Sequence, residues 1–278
     1  MRQKLSLVVA LALVVPGIAK GADTLDSLWH FQDAVPVAPG QTDLRFSFGW
    51  ETGTVNGSGD ELVLTPSVVW GLSEGHELSI SVPVWLGDAG NRGNYEDGNY
   101  DTNLGLLLRL QEQEGDGPAV ALAVNLRIPT GDDSENIDGE LRLIATRDYA
   151  DNGVRAHCNL FVKHVSGSNN RVDGDVGPEI FGTRARGSVE NDRDLQFGLV
   201  LGMDGPLCKD GSVRWVFDYM HRSSMTNGQN NWNVAAAGWE WTLNDSDRLG
   251  MSVQFNLDRS TEAADVGAIM TFAHALTY

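Results

Sequence analysis

The chain has 278 residues, 32 of them glycine and 8 tryptophan, and carries a formal charge of -18. That balance excludes nucleic acid as a partner, because a polyanion is held through clustered Lys and Arg. Beyond the first 22 residues no apolar run reaches the ~20 residues of a membrane-spanning helix, but strands that alternate lipid-facing and lumen-facing residues average to neutral hydropathy and escape that test.

Residues 1–22 have the three parts of a secretory signal peptide: Arg2 and Lys4, an uncharged apolar stretch over 5–15, then Pro16 and the small residues Gly17, Ala19, Gly21 and Ala22. Cleavage after Ala19 and after Ala22 both fit. Export places the mature chain in a compartment that permits disulfides. The two cysteines, Cys158 within an apolar-alternating segment and Cys208 in a turn, are nevertheless expected to stay unbridged, and they lack metal or redox spacing. Residues 23–41, with Pro36 and Pro39, read as a periplasmic lead-in or a lumen plug.

From residue 42 to residue 278 the sequence breaks into twelve alternating segments separated by Gly, Asp and Asn clusters. They cover 42–54, 61–72, 77–87, 101–113, 117–130, 139–149, 153–165, 193–204, 212–222, 230–243, 247–258 and 265–278. In the first, Leu44, Phe46, Phe48 and Trp50 alternate with Arg45, Ser47, Gly49 and Glu51. The fifth sets Val120, Leu122, Val124, Leu126 and Ile128 against Ala121, Ala123, Asn125 and Arg127. The eleventh sets Leu249, Met251, Val253, Phe255 and Leu257 against Ser252, Gln254, Asn256 and Asp258. Strands of a soluble sandwich average about five or six residues, whereas these match the tilted strands of a membrane barrel. The fold class expected is a closed, antiparallel, up-and-down transmembrane β-barrel of about twelve strands, an even number as single-chain bacterial barrels have.

Connector lengths alternate as well. Short turns follow segments two, four, six and ten, and longer connectors follow three, five and seven, the last spanning residues 166–192. With short turns on the periplasmic side, both termini fall in the periplasm. Trp50, Trp70, Trp85, Tyr149, Tyr219, Trp239 and Trp241 stand where interfacial aromatic girdles would be. In the last segment Val266, Ala268, Met270, Phe272, Leu276 and Tyr278 form the outward row, with His274 as a polar exception. Its open edge is expected to close against the first strand, since exposed strand edges invite aggregation.

The run Val69-Trp70-Gly71-Leu72-Ser73-Glu74-Gly75-His76-Glu77-Leu78-Ser79-Ile80-Ser81-Val82-Pro83-Val84 resembles an outer-membrane family named for the meta pathway of phenol degradation, and Ile128-Pro129-Thr130-Gly131 is a second match. The resemblance spans residues 60–132 and is carried by turn motifs. Gly71 and Gly75 suit a tight turn, and Pro83 suits a position where a ladder bond is dispensable. It implies an outer-membrane barrel associated with uptake of aromatic or other hydrophobic compounds, and it supplies no catalytic residues.

Parity directs Arg45, Glu51, Arg109, Arg127, Glu140, Arg142, Arg155, Lys163, Arg214, Asp218, Glu240 and Asp258 into the lumen. Two readings stay open: a charged constriction on a solute path, or a salt-bridged interior that holds a narrow barrel shut. The acidic clusters Asp88, Glu96, Asp97 and Asp101, and Asp132, Asp133, Glu135 and Asp138, match no Ca²⁺-loop spacing and read as solvated loop charge. His221-Arg222-Ser223 looks like the His-x-Ser of outer-membrane lipid hydrolases such as phospholipase A, with Asn227 as a candidate to orient the ring. The Ser-Asn-Gly of those enzymes is replaced by Ser223-Ser224-Met225. The expectation is a bacterial outer-membrane channel or transporter for small, hydrophobic or aromatic solutes. It is expected to have no enzymatic activity, metal or cofactor, and to meet membrane lipid, lipopolysaccharide, the barrel-assembly machinery and its solute. A non-conducting structural barrel is the alternative, and a His221/Ser223 lipid hydrolase a more distant one.

Overall fold

The computed structural model describes residue 25 and residues 30–52, 61–88, 101–131, 137–149, 153–164, 195–224, 231–258 and 266–277. The signal segment 1–22, Glu96, Asp97, Asp132, Asp133, Glu135, the 166–192 connector, Met225, Asn227 and Tyr278 lie outside the described residues, as do the side chains of Glu51, Trp85 and Asp88.

Thirteen strands follow one another: β1 (Gln41–Thr52), β2 (Glu61–Ser73), β3 (His76–Ser81), β4 (Val84–Asp88), β5 (Thr102–Gln111), β6 (Ala119–Ile128), β7 (Asp138–Tyr149), β8 (Val154–His164), β9 (Leu195–Pro206), β10 (Val213–Arg222), β11 (Trp232–Thr242), β12 (Asp247–Asn256) and β13 (Val266–Thr277). They make twelve staves, because β3 and β4 are two halves of the single segment expected over 77–87. The break falls at Val82 and Pro83, where proline withholds the N–H a ladder needs. Each stave pairs antiparallel with its neighbours in chain order. The sheet closes on β1, where Phe46 is opposite Phe272 of β13 on one side and Pro66 of β2 on the other. A closed sheet has no free edge.

Side chains sort by parity along every stave. Phe46 (51% exposed), Met270 (50%), Phe217, Leu143 and Leu160 point outward, whereas Ser47, Arg142, Asn159, Asp218 and Thr271 are buried inside. Large apolar groups outside and polar groups inside invert a soluble barrel and fit a lipid-facing wall. Trp70, Tyr149, Trp215, Trp239 and Trp241 gather at the turn end, where Trp215 sits opposite Trp239 and Val213 opposite Trp241. The short connectors at this end are tight. Gly153, at φ 66°, lets the turn into β8 close with its N–H on Tyr149 O at 3.1 Å. Cys158 and Cys208 are unbridged. The polar exception on β13 is accounted for: His274 Nδ1 lies 2.7 Å from Asp247 Oδ1.

The remaining described segment, residue 25 and residues 30–40, lies inside the barrel. Leu25, Phe31, Ala34 and Val37 have no solvent exposure. The segment meets the wall near the base of β11, at Glu240, and reaches mid-barrel at His30–Gln32 beside β8 and β10. It then returns to the base at Gly40, whose N–H bonds Gly71 O at 3.1 Å before β1 begins. This described segment is termed the plug for its place against the inward face of the wall.

Candidate functional site

A segment without ladder partners must satisfy its backbone some other way, and here the lumen wall supplies the acceptors. Leu25 N–H donates to Glu240 Oε1 at 2.9 Å, His30 N–H to Asp218 Oδ2 at 2.8 Å and Val37 N–H to Glu77 Oε2 at 2.8 Å. Gln32 N–H donates to Asn159 Oδ1 at 2.7 Å and Ala34 N–H to Thr146 Oγ1 at 3.0 Å, while Asn159 Nδ2 returns a bond to Gln32 O. Five staves contribute, and three of the acceptors are carboxylates, whose bonds are the stronger kind.

Side chains of the plug lock into the same wall. His30 Nδ1 lies 2.8 Å from Asp218 Oδ1. The Phe31 ring stacks on His157 with centroids 4.1 Å apart and planes 12° apart, over Gly202, where a Cβ would stand 2.3 Å from the ring. Asp33 Oδ2 accepts from Arg155 Nη1 at 3.0 Å. Leu25 and Phe31 join an inward apolar cluster with Val63, Phe161, Val200, Val216, Met220, Trp232, Val234 and Ile269. Ala34 joins a second one with Leu107, Ala119, Ala121, Ala123 and Ile144, where small residues leave room for the plug backbone.

The charged residues expected in the lumen occupy several sites. Arg155 and Arg214 converge on Asp204, whose side chain is fully buried. Arg155 Nε and Nη2 lie at 3.2 and 3.0 Å and Arg214 Nε at 2.6 Å from Oδ1, with His157 Nε2 at 2.7 Å from Oδ2. Arg142 donates to Glu140 (2.8 Å) and to His30 O (2.7 Å) and lies over the Phe161 ring, 4.9 Å from its centroid. Arg127 pairs with Asp101 and Asp138, which removes both carboxylates from the solvated loop charge expected of them. Their burial accounts for that correction, since a buried charge is retained only with a partner. Arg45 shares Asp43 with Arg248 at the base.

Asp218 and Glu240 hold the plug as described, and Lys163 is buried on the inward face of β8. Arg109 points to the short-turn end of the barrel, bonding Glu112 and Glu74 O. Asp258 lies beyond the end of β12, exposed, and takes Asn233 Nδ2; parity directs a side chain only while the strand continues.

Residues not singled out from the sequence complete the site: His30, Phe31 and Asp33 on the plug, and Glu77, His157, Asn159 and Asp204 on the wall. For the wall residues the signal was present, since all four have inward parity in their strands. Gly71 also has a different role from the tight turn expected. It lies within β2, where the plug backbone crosses so closely that a Cβ would stand 2.0 Å from Ala38 O.

His221 and Ser223 do reach the outward face, but they turn to opposite neighbours. His221 Nδ1 is 2.8 Å from Asn233 Oδ1 on β11, while Ser223 Oγ accepts from Phe197 N–H on β9 at 2.9 Å. No hydrogen bond joins the two among the described residues. Among those residues no cluster of His, Cys, Asp and Glu could hold a metal ion.

No family model matches the chain, and no curated protein sequence matches it. Among solved structures it is similar to an outer membrane channel from Pseudomonas putida F1, at 14% identity and a TM-score of 0.63, with 88% of this chain and 98% of that one covered. It is similar to the porin NanC at 9% identity and a TM-score of 0.54, covering 85% of this chain and 99% of that one. At such identities the likeness is one of fold, and the fold is that of a closed, twelve-stave, porin-like barrel.

Proposed function

We propose that this protein is a channel of the bacterial outer membrane for a small hydrophobic or aromatic solute, closed in the described state by residues 30–40. The observation that carries the reading is the inward apolar cluster around the plug. A water-filled pore is lined with polar groups, whereas Phe161, Val200, Val216, Met220, Val234 and Ile269 face inward here, against Leu25 and Phe31. The porin-like fold and the resemblance over residues 60–132 to the phenol meta-pathway family support the same reading.

A second reading, a non-conducting barrel with a salt-bridged lumen, is favoured by the carboxylate partners of Arg45, Arg127, Arg142, Arg155 and Arg214. Single-channel recording in planar bilayers and permeation of small aromatic solutes into proteoliposomes separate the two. Conductance or permeation that increases when Phe31 and Asp33 are truncated supports the channel. A barrel that stays closed and impermeable in both forms supports the structural role. The opposed contacts of His221 and Ser223 argue against hydrolysis, and phospholipid turnover lost in Ser223→Ala would overturn that.

A further inference from the structure

We infer that Phe31 and Asp33 are a built-in competitor seated in a binding site for an aryl-alkanoate, an aromatic ring joined by a short chain to a carboxylate. Such a solute opens the barrel by taking their place. The inference rests on the channel reading above and names a solute class and a gating step for it.

The site has two parts on one face of β8. His157 and Arg155 are two residues apart with the same parity, which separates them by about 7 Å along the strand. At the first position a flat slot receives a ring, stacked on His157 at 4.1 Å and lying over Gly202, which faces His157 across the ladder. Any side chain at 202 would fill that slot. At the second position Asp204 binds Nε and Nη2 of Arg155 and so fixes the plane of the guanidinium, with Nη1 directed at the Asp33 carboxylate. The pieces are rigid before any ligand arrives, which lowers the ordering cost of binding.

Phe31 and Asp33 fill both parts, a ring and a carboxylate two residues apart on the plug. What they present is the chemistry of a 3-phenylpropanoate. Other polar groups nearby are already engaged: Arg214 and His157 with Asp204, Arg142 with Glu140, and His30 with Asp218. Displacing Asp33 therefore leaves Arg155 one carboxylate short, and an incoming carboxylate restores the balance. A neutral aromatic does not.

Mass action follows. The apparent affinity for a solute equals its intrinsic affinity scaled by the fraction of barrels with the plug withdrawn, so weakening the plug must tighten binding. Isothermal titration of the full-length barrel in detergent micelles with 3-phenylpropanoate, against empty micelles, tests this. The Phe31→Ala/Asp33→Asn variant is expected to bind at least tenfold more tightly than wild type, and 3-phenylpropanol and hexanoate at least tenfold more weakly than 3-phenylpropanoate. Adding Gly202→Ala to that variant is expected to abolish the gain, in a strand position that keeps the barrel folded. Equal affinity of wild type and variant, equal binding of the alcohol, or indifference to Gly202→Ala overturns the site. Ligand-free conductance of the same variant reads the channel separately. A conducting variant without binding refutes the site alone, and binding without conductance in any form upholds the site and refutes the channel.

Discussion

Gly71→Ala should loosen the plug without weakening the barrel. The new Cβ would stand 2.0 Å from Ala38 O and 2.5 Å from Val37 O, whereas a carbon and a carbonyl oxygen rest at about 3.3–3.6 Å. More than 1 Å must be found. The strand is held by Gly71's pairing with Glu77 of β3, so the plug backbone moves. Overpacking of this kind costs about 1–3 kcal/mol, and the Gly40 N–H bond to Gly71 O, at 3.1 Å, contributes about 1 kcal/mol more. Together these shift the ratio of withdrawn to seated plug by between about thirtyfold and several hundredfold, at about 1.4 kcal/mol per factor of ten. The assay is the modification rate of a thiol at position 34. Ala34 has no solvent exposure, so in an Ala34→Cys/Cys158→Ala/Cys208→Ala background maleimide reacts only with the withdrawn form. Gly71→Ala should raise that rate by the stated factor while leaving the thermal unfolding of the barrel unchanged. An unchanged rate, or a rate increase that only tracks barrel unfolding, would refute the steric argument.

Asp204→Asn should destabilise the barrel by about 3–5 kcal/mol, because it withdraws a buried charge from the two guanidinium groups and the imidazole that meet there; a urea midpoint equal to that of wild type would count against the hub. Leu143→Arg, on an outward position midway along β7, should cost about 2–4 kcal/mol in a bilayer, against about 0–1 for Tyr149→Arg near the interface, and equal costs would contradict a lipid-facing wall. At the β9–β10 turn, the Ser212 N–H and hydroxyl hold the Asp210 carboxyl below the usual carboxylate value. An NMR titration of Ser212→Ala should therefore move it up. With the folded value depressed, the contact's contribution is present above the unfolded pKa and fades as pH falls through the folded one.

Much of the architecture was legible before any coordinates. The side chain of Phe46 and that of Ser47 must emerge on opposite faces of an extended chain, so the outward row of β1 and the inward position of Arg142 or Arg155 follow from local sequence. Pro83 was read only as sitting where a ladder bond is dispensable, and the split of its segment into β3 and β4 was not foreseen. The plug was only one of two readings for residues 23–41, because a segment bonded through wall side chains has no period of its own to read. Gly71 shows the same limit from the other side, since its neighbour in sequence terms is a turn and its neighbour in space is the plug backbone.

What the sequence determined by itself was the side of the wall on which a residue stands wherever a strand runs without a bulge or an end, a consequence of the two-residue repeat. Which groups meet inside was decided by the tertiary structure alone. Arg155 reaches Asp33 across 122 residues and Asp204 across 49, and both contacts depend on the register between staves and on closure of the sheet. Closure sets the width of the lumen, and that width determines which side chains span the distance to the plug.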